Sequence, residues 1–534
     1  MLKVIHKIKF IHVFWFFFYF LILAILIKGG FAQLDPDFGW HLKVGEEIAT
    51  THQIPHANLY NYTYTGNWVD HEWLSNLGIY YIYNNFGYAA LVGLFSGLIV
   101  FVLIVLNIFL RKTLATYSFW TIAALQLFGT LASIGHFGVR IQELALLFVL
   151  IVLIIIEVYR RFKDWRILLL LPPLFFVWAS LHASFLIGFF LLLSWIIINL
   201  FLYLVVNNKK FNFIVLVKPV RLKLLGIFSL FSGLSLLATF VTPYKLELYS
   251  FLIGYKNKAY LSMIQEWLPQ YSFPFHYNQL IYLALGAAAL IFYIYLQLKN
   301  KKACDLWRIF LVLVFLILSF KSRRHFPLFF IVSFSLMVEA YSQIFSEIKL
   351  AYFKWLHWLV IVCLGLVIIA QILAMRPTNY PFTAFYDTYP VDAVEFLKSN
   401  PQYSDDRILN SYGWGGFLIW VLPERKLFID GRLPQVEFAG WTFIQEYFDF
   451  FGPNNKPKDK LNKYDISLVL IKSKDEPIYV KKWERVLFFI RQDILIPNNH
   501  LRKYLDSAVD WKIIYQDNTA IIYYRSINKI KYAN

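Results

Sequence analysis

Long apolar stretches separated by short polar turns fill the first 376 residues. Runs of about 18–20 apolar residues match the hydrocarbon core of a bilayer crossed as a helix. About eleven such stretches occur, near Phe10–Ile27, Tyr88–Leu110, Leu114–Ile134, Ile141–Val158, Ile167–Leu181, Phe185–Val206, Leu224–Val241, Leu280–Leu296, Ile309–Phe320, Phe326–Phe345 and Leu356–Ala374. Beyond Ala374 the pattern changes to short helices and strands. Val391–Ser399 reads as a helix after Pro390, and Ile408–Asn410, Leu427–Ile429 and Ile466–Ile471 read as strands. Trp511–Tyr515 and Ala520–Tyr524 flank Asp517-Asn518, the pattern of a hairpin. The fold class expected is a polytopic α-helical membrane protein with a C-terminal extracytoplasmic α/β domain. Residues 1–376 form the membrane domain, 31–87 its first outer loop, and 377–534 the second domain.

Composition supports the membrane reading: of 534 residues, 59% are hydrophobic, more than a soluble chain of this length carries. The net charge of +18 would suit a nucleic-acid partner, but the basic residues lie in short loops, as the positive-inside rule requires. No nucleic acid is expected; membrane lipids are. With the N-terminus in the cytoplasm, the basic turns Arg111-Lys112, Arg160–Lys163, Lys209-Lys210, Lys299–Lys302 and Lys349–Lys354 fall inside. An odd number of spans then leaves the C-terminal domain outside the cytoplasmic membrane. The first span follows Lys3, Lys7 and Lys9 without a small-residue cleavage site, so it reads as a retained anchor. Cys304 and Cys363 supply neither a disulfide framework nor a metal site. No GxGxxG or phosphate loop is present.

The chemistry concentrates in the first outer loop, where DPDFGWHLKVGEEI and WVDHEWL gather Asp35, Asp37, His41, Glu46, Glu47, Asp70, His71 and Glu72. Charges beside a bilayer are costly unless solvated or used. Pro36 restricts the backbone at Asp35, and either Asp35 or Asp37 is a candidate general base. Asp37 also stands where a helix carrying Trp40, His41, Val44 and Ile48 would take an N-cap. Asp37, Asp70 and Glu72 admit a divalent cation such as Mg2+ or Mn2+. His41 and His71 would support these acids, and Trp40, Trp68 and Trp73 suit an interfacial belt. Against the charge rule, Arg140, Lys321, Arg323 and Arg324 fall on the outer side, with His182, Glu266 and His325. A guanidinium pair suits a phosphate or pyrophosphate group; the alternative for the pair is snorkelling anchors. The loop Pro243–Asn278 is either an aromatic belt or a flap. Asn61-Tyr62-Thr63 matches a glycosylation acceptor.

Taken with WASLHASF, TPYKLELY, SRRHFPLF and NSYGWGGFLIWVLPERKLFIDGR, these segments resemble a bacterial branch of the C-type (GT-C) membrane glycosyltransferases. That superfamily includes oligosaccharyltransferase-like and mannosyltransferase-like enzymes. The resemblance implies a polyprenyl-phosphate-linked sugar donor, transfer on the outer face, and an Asp of the first loop as base or metal ligand. That role maps to Asp35 and Asp37, with Asp70 and Glu72 next. Arg140, Arg323, Arg324 and His325 would meet the donor phosphate. The chain departs from the family pattern at Ser180 and Ala183 around His182, and at Ile141 after Arg140. A transporter or flippase of lipid-linked sugars, and a non-catalytic membrane assembly protein, are the alternative readings. The first would need charged or helix-breaking positions at mid-span, whereas the charges lie at span ends.

Overall fold

A computed structural model of the protein describes residues 10–114, 117–206, 217–254, 260–345, 354–377, 385, 387–438, 440–452, 456–475, 477–488, 492, 494–495 and 499–526. Lys3, Lys7, Lys9, Lys209, Lys210 and Lys349, which carry part of the orientation argument, lie outside the described residues. The chain divides into two compact units: Met1–Gln33, Ala89–Leu246 and Glu266–Pro377 form the first, and Leu34–Tyr88, Glu247–Gln265 and Thr378–Asn534 the second. The sequence places the boundary at 376 and keeps the loop 31–87 with the spans. The contacts instead assemble that loop with the C-terminal segment.

The first unit is helical. Seven described helices are long and apolar enough to cross a membrane: Phe10–Ala32, Trp73–Thr113, Ile141–Phe162, Phe185–Val205, Leu222–Thr239, Tyr277–Lys299 and Arg323–Ile344. The other four expected stretches are also helical, as Phe119–Ser133, Leu171–Leu181, Leu306–Lys321 and Lys354–Leu373. The helix Phe326–Phe345 packs on Tyr277–Lys299, Leu306–Lys321 and Phe119–Ser133, and is lined with buried Phe326, Phe329, Phe330 and Phe334. Two ion pairs join these helices: Arg308 bonds Glu339 at 2.7 Å and Arg160 bonds Asp305. The long helix Trp73–Thr113 breaks at Gly87, whose φ of 76° lies in the left-handed region that favours glycine. The break falls one residue before the chain passes from the second unit into the first.

The second unit is built on a four-stranded sheet in the order Arg407–Asn410, Ile466–Lys472, Ala520–Arg525, Trp511–Gln516. The first pair is parallel and the others antiparallel, the last pair being the expected hairpin. Ile466–Ile471 is buried at all six positions, as in a strand covered on both faces. The helix Val391–Ser399 forms as the sequence predicts and packs on the hairpin. Leu427–Ile429, predicted as a strand, is not one. Leu427 makes single bridges to Ile408 and Asn61, and the amide of Asn410 serves the backbone of Phe428 and Ile429 in place of a ladder. The first loop docks on this segment through Leu427 N to Tyr60 O, Tyr62 N to Leu427 O and Thr63 Oγ1 to Phe428 O. Asn61 is fully buried there, so it is no glycosylation acceptor.

Candidate active site

The acidic residues of the first loop all lie in the second unit. Asp37 N donates to Asp35 Oδ1 at 2.8 Å, and Phe38 N to Asp35 O at 3.1 Å. This turn, built on the Asp35 side chain, launches the helix Phe38–Thr51, whose Phe38, Leu42, Val44 and Ile48 are buried. Asp37 occupies the N-cap position, but its side chain makes no capping bond; it accepts from Trp40 Nε1 at 2.9 Å instead. Asp35 is buried, whereas Asp37 is partly exposed. Gly431 packs directly on Asp37, since a Cβ there would stand 1.9 Å from Asp37 Oδ1.

Behind this turn runs a buried polar chain. Asp70 accepts from Asn76 Nδ2 with both oxygens, at 3.0 and 2.8 Å, and from Glu72 N at 3.1 Å. Asn76 Oδ1 lies 2.6 Å from His41 Nδ1. Because the Asn76 amide nitrogen is engaged by Asp70, its oxygen must accept, which fixes the His41 proton on Nδ1. Burial pushes the Asp70 carboxyl up to about 7, against the Asn76 and Glu72 bonds and the Arg432 charge. Burial pushes His41 down to about 3. His71 sits 3.5 Å from the buried Glu72 and tilts on Phe251.

A second buried cluster adjoins it. Arg432 and Asp430 pair through two bonds, Nε to Oδ1 at 2.9 Å and Nη2 to Oδ2 at 2.8 Å. Arg432 Nη2 also reaches Asn58 and Asn61, and its guanidinium lies 4.6 Å from the centres of both the Tyr60 and Trp68 rings. Trp68 and Trp40 are therefore core residues of this unit and not belt aromatics. Asn58, Asn61, Asn76 and Arg432 escape the sequence reading; the one available signal is the Asp-Gly-Arg run itself. Among the described residues no three His, Cys, Asp or Glu side chains are grouped as a metal site. The Asp70 oxygens accept three hydrogen bonds, two on Oδ1 and one on Oδ2.

The basic residues belong to the first unit. Arg140 Nη1 bonds Glu266 at 2.5 Å, and Arg324 Nη1 stands 3.6 Å from its other oxygen. Burial works against the Glu266 charge, but Arg140 and Arg324 together hold its carboxyl below the usual range. Arg324 lies 4.9 Å from the centre of the Trp267 ring, and His325 meets the same ring edge-on. Burial pushes nearby His136 down to about 4. Arg323 differs from its neighbour. It is fully buried, and its Nη2 binds the carbonyls of Ser272 and Pro274. It ties the 268–274 segment through these bonds, while its Nε and Nη1 make no hydrogen bond among the described residues. His182 ends the helix Leu171–Leu181, where its Nδ1 accepts from Ser184 N at 3.0 Å. The segment Pro243–Asn278 is neither a uniform belt nor one flap: 247–265 belongs to the second unit and 266–278 to the first.

These features belong to a multi-pass membrane protein whose fold is similar to that of solved oligosaccharyltransferases. Among the solved structures it matches are those of an archaeal oligosaccharyltransferase, AglB of Archaeoglobus fulgidus. The AglB complex with an inhibitory peptide and a dolichol-phosphate is 11% identical, with a TM-score of 0.53 over 94% of this chain and 79% of that one. The same organism's oligosaccharyltransferase tethered through a disulfide to an acceptor peptide containing the NVT sequon gives 12%, 0.51 and the same coverages. Its apo form gives 11% and 0.52 over 93% and 79%. No family model matches the sequence, and no curated protein matches it.

Proposed function

We propose that the protein is a membrane glycosyltransferase. It moves a sugar from a polyprenyl-phosphate donor to an acceptor on the outer face of the cytoplasmic membrane. The observation that carries this is the AglB-like fold along 94% of the chain; the dolichol-phosphate of that complex is a polyprenyl phosphate. The acids of the first loop supply the chemistry such a transfer needs. The acceptor oxygen bonds to the anomeric carbon as its proton passes to Asp37, and the bond from that carbon to the phosphate oxygen breaks with its electron pair leaving on phosphate. Asp37 is the better base because it is partly exposed, whereas Asp35 is buried and spends an oxygen on the turn. The negative charge that grows on the leaving phosphate favours fixed cations in the transition state. Arg324 and Arg140, with His325, have that chemistry, and Glu266 holds both arginines in place.

The test is turnover in membranes with a polyprenyl-phosphate sugar. Asp37→Asn should lose roughly 10²–10⁴-fold, the usual contribution of a general base. Asp35→Asn should lose little, because an Asn oxygen accepts the Asp37 N–H equally well. Near wild-type turnover in Asp37→Asn would remove the base from this loop.

A further inference from the structure

Gly416 and Gly431 of the C-terminal segment, with Gly39 of the first loop, close on the Asp35–Asp37 turn. A Cβ on Gly416 would stand 2.2 Å from Pro36 O, one on Gly39 2.3 Å from Gly416 O, and one on Gly431 1.9 Å from Asp37 Oδ1. The backbone at Gly431 does not itself require glycine: the glycines with positive φ are Gly87, Gly138 and Gly440. What a side chain at 431 would meet is the Asp37 carboxylate, which must move to admit it.

The residues on either side of Gly431 are fixed. Arg432 N and Nε both donate to Asp430 Oδ1, so Asp430-Gly431-Arg432 is a closed turn. Its ion pair is almost wholly buried, the two side chains being 0% and 1% exposed. Burying two charges costs desolvation that a hydrophobic pair would not, so such a pair is a poor source of stability and a good source of fixed geometry. Here the geometry is shared with the first loop through Asn58, Asn61, Tyr60 and Trp68.

We propose that Asp430-Gly431-Arg432 is the positioning element for Asp37. Gly431 sets where the carboxylate lies, and Arg432 fastens the turn to the loop that carries Asp37. This rests on the reading of Asp37 as the base. It makes the C-terminal segment part of the catalytic apparatus through Asp37, without a contact to substrate of its own.

A single methyl at 431 tests it. Gly431→Ala should push the carboxylate off the Trp40 indole and lower kcat about 10- to 100-fold, the cost of roughly 1 Å of misplacement. KM should stay within about twofold, since no substrate contact is removed. Gly413→Ala, in the same segment but facing open space, should leave kcat unchanged. In an Asp37→Asn background Gly431→Ala should cost no further turnover, because the group it displaces no longer acts. The Trp40 indole N–H resonance, assigned by its loss in Trp40→Phe, should shift in Gly431→Ala and stay in place in Gly413→Ala. Should Gly431→Ala not fold, Gly431→Ala with Asp37→Ala should recover folding, since the clashing carboxylate is gone. Wild-type kcat with an unmoved indole signal overturns the proposal. So does an equal further loss in the Asp37→Asn background, or a double variant that stays unfolded. If Asp37→Asn alone keeps its turnover, the base assignment fails, and the indole shift still reports whether Gly431 places Asp37.

Discussion

Replacing Asp70 by Asn should change how stability depends on pH in a way that the buried Asp70–Asn76–His41 chain dictates. Burial raises the Asp70 carboxyl from 3.8 to about 7. Between these values the folded protein holds a proton that the unfolded chain has released, so stability falls as pH rises through that window. At ~1.4 kcal/mol per pH unit the full loss is roughly 4 kcal/mol. His41 works in the opposite sense, because burial lowers it from 6.5 to about 3. The unfolded chain takes a proton there that the folded protein refuses, so stability falls as pH drops below 6.5. From about pH 4 to 6.5 the two slopes cancel, and the wild type should be nearly flat. Asp70→Asn removes one slope and leaves the other, so its unfolding temperature should climb steadily from pH 4 to 6.5 and then level. The substitution also turns one acceptor toward Asn76 Nδ2 into a donor, a loss of roughly 1 kcal/mol. The variant should therefore be the weaker protein below pH 4 and the stronger one above pH 7.5, where ionised Asp70 burdens the wild type. His41→Gln should show the converse, a decline from pH 4 to 7. Tryptophan fluorescence during heating of the detergent-solubilised protein reads all three. An Asp70→Asn variant as flat as the wild type from pH 4 to 6.5 would mean that Asp70 is not the group holding that proton.

The two adjacent arginines should separate. Arg323→Ala loses charge-assisted bonds to the Ser272 and Pro274 carbonyls and should lower stability by roughly 3 kcal/mol, read as a drop in unfolding temperature. Arg324→Ala should leave that temperature alone and weaken binding of a polyprenyl-phosphate sugar about tenfold, equivalent to ~1.4 kcal/mol; equal stabilities in the two variants would refute the distinction. For orientation, in a background lacking Cys304 and Cys363, an impermeant thiol reagent added outside should label Lys512→Cys at once and Lys301→Cys only after permeabilisation. The reverse order would invert the assigned sides.

Much of the fold is written locally. Span length marks the apolar helices, Asp517-Asn518 marks the hairpin, and the helix Val391–Ser399 forms where Pro390 and its apolar spacing place it. Leu427–Ile429 fails because an apolar triplet has the same appearance whether a ladder or the Asn410 amide satisfies its backbone. Arg323 and Arg324 look equivalent as letters. In the 3-10 turn Arg323–His325 one side chain is buried against the Ser272 and Pro274 carbonyls, and the other faces Glu266. Asn58, Asn61 and Asn76 carry no signature, since an amide becomes part of a site only through the partner it is buried with. Asp35 and Asp37 were legible as a pair, but which one is spent on the turn depends on a 2.8 Å contact that spacing does not encode.

The division of the chain into units has a physical reason that bears on function. The segment Leu34–Tyr88 carries buried Asp35, His41, Asp70, Glu72, Asn58 and Asn61, too many polar groups to be buried on its own account. Their partners come partly from its own helix, as Asn76 does for Asp70 and His41, and partly from residues more than 300 positions later. Arg432 takes up Asn58 and Asn61, the Leu427 carbonyl takes up Tyr62 N, and the Phe428 carbonyl takes up the Thr63 hydroxyl. Removing the later segment would leave these groups unpaired or return them to water, and with them the packing that holds the Asp35–Asp37 turn. An appended acceptor-recognition domain would join the rest of the chain by a small interface of its own surface. Here the backbone of Gly416 and Gly431 lies against Pro36 and Asp37 themselves. The placement of Asp37 is therefore a consequence of this packing arrangement, and substitutions in the Trp414–Arg432 segment should be judged first by what they do to Asp37.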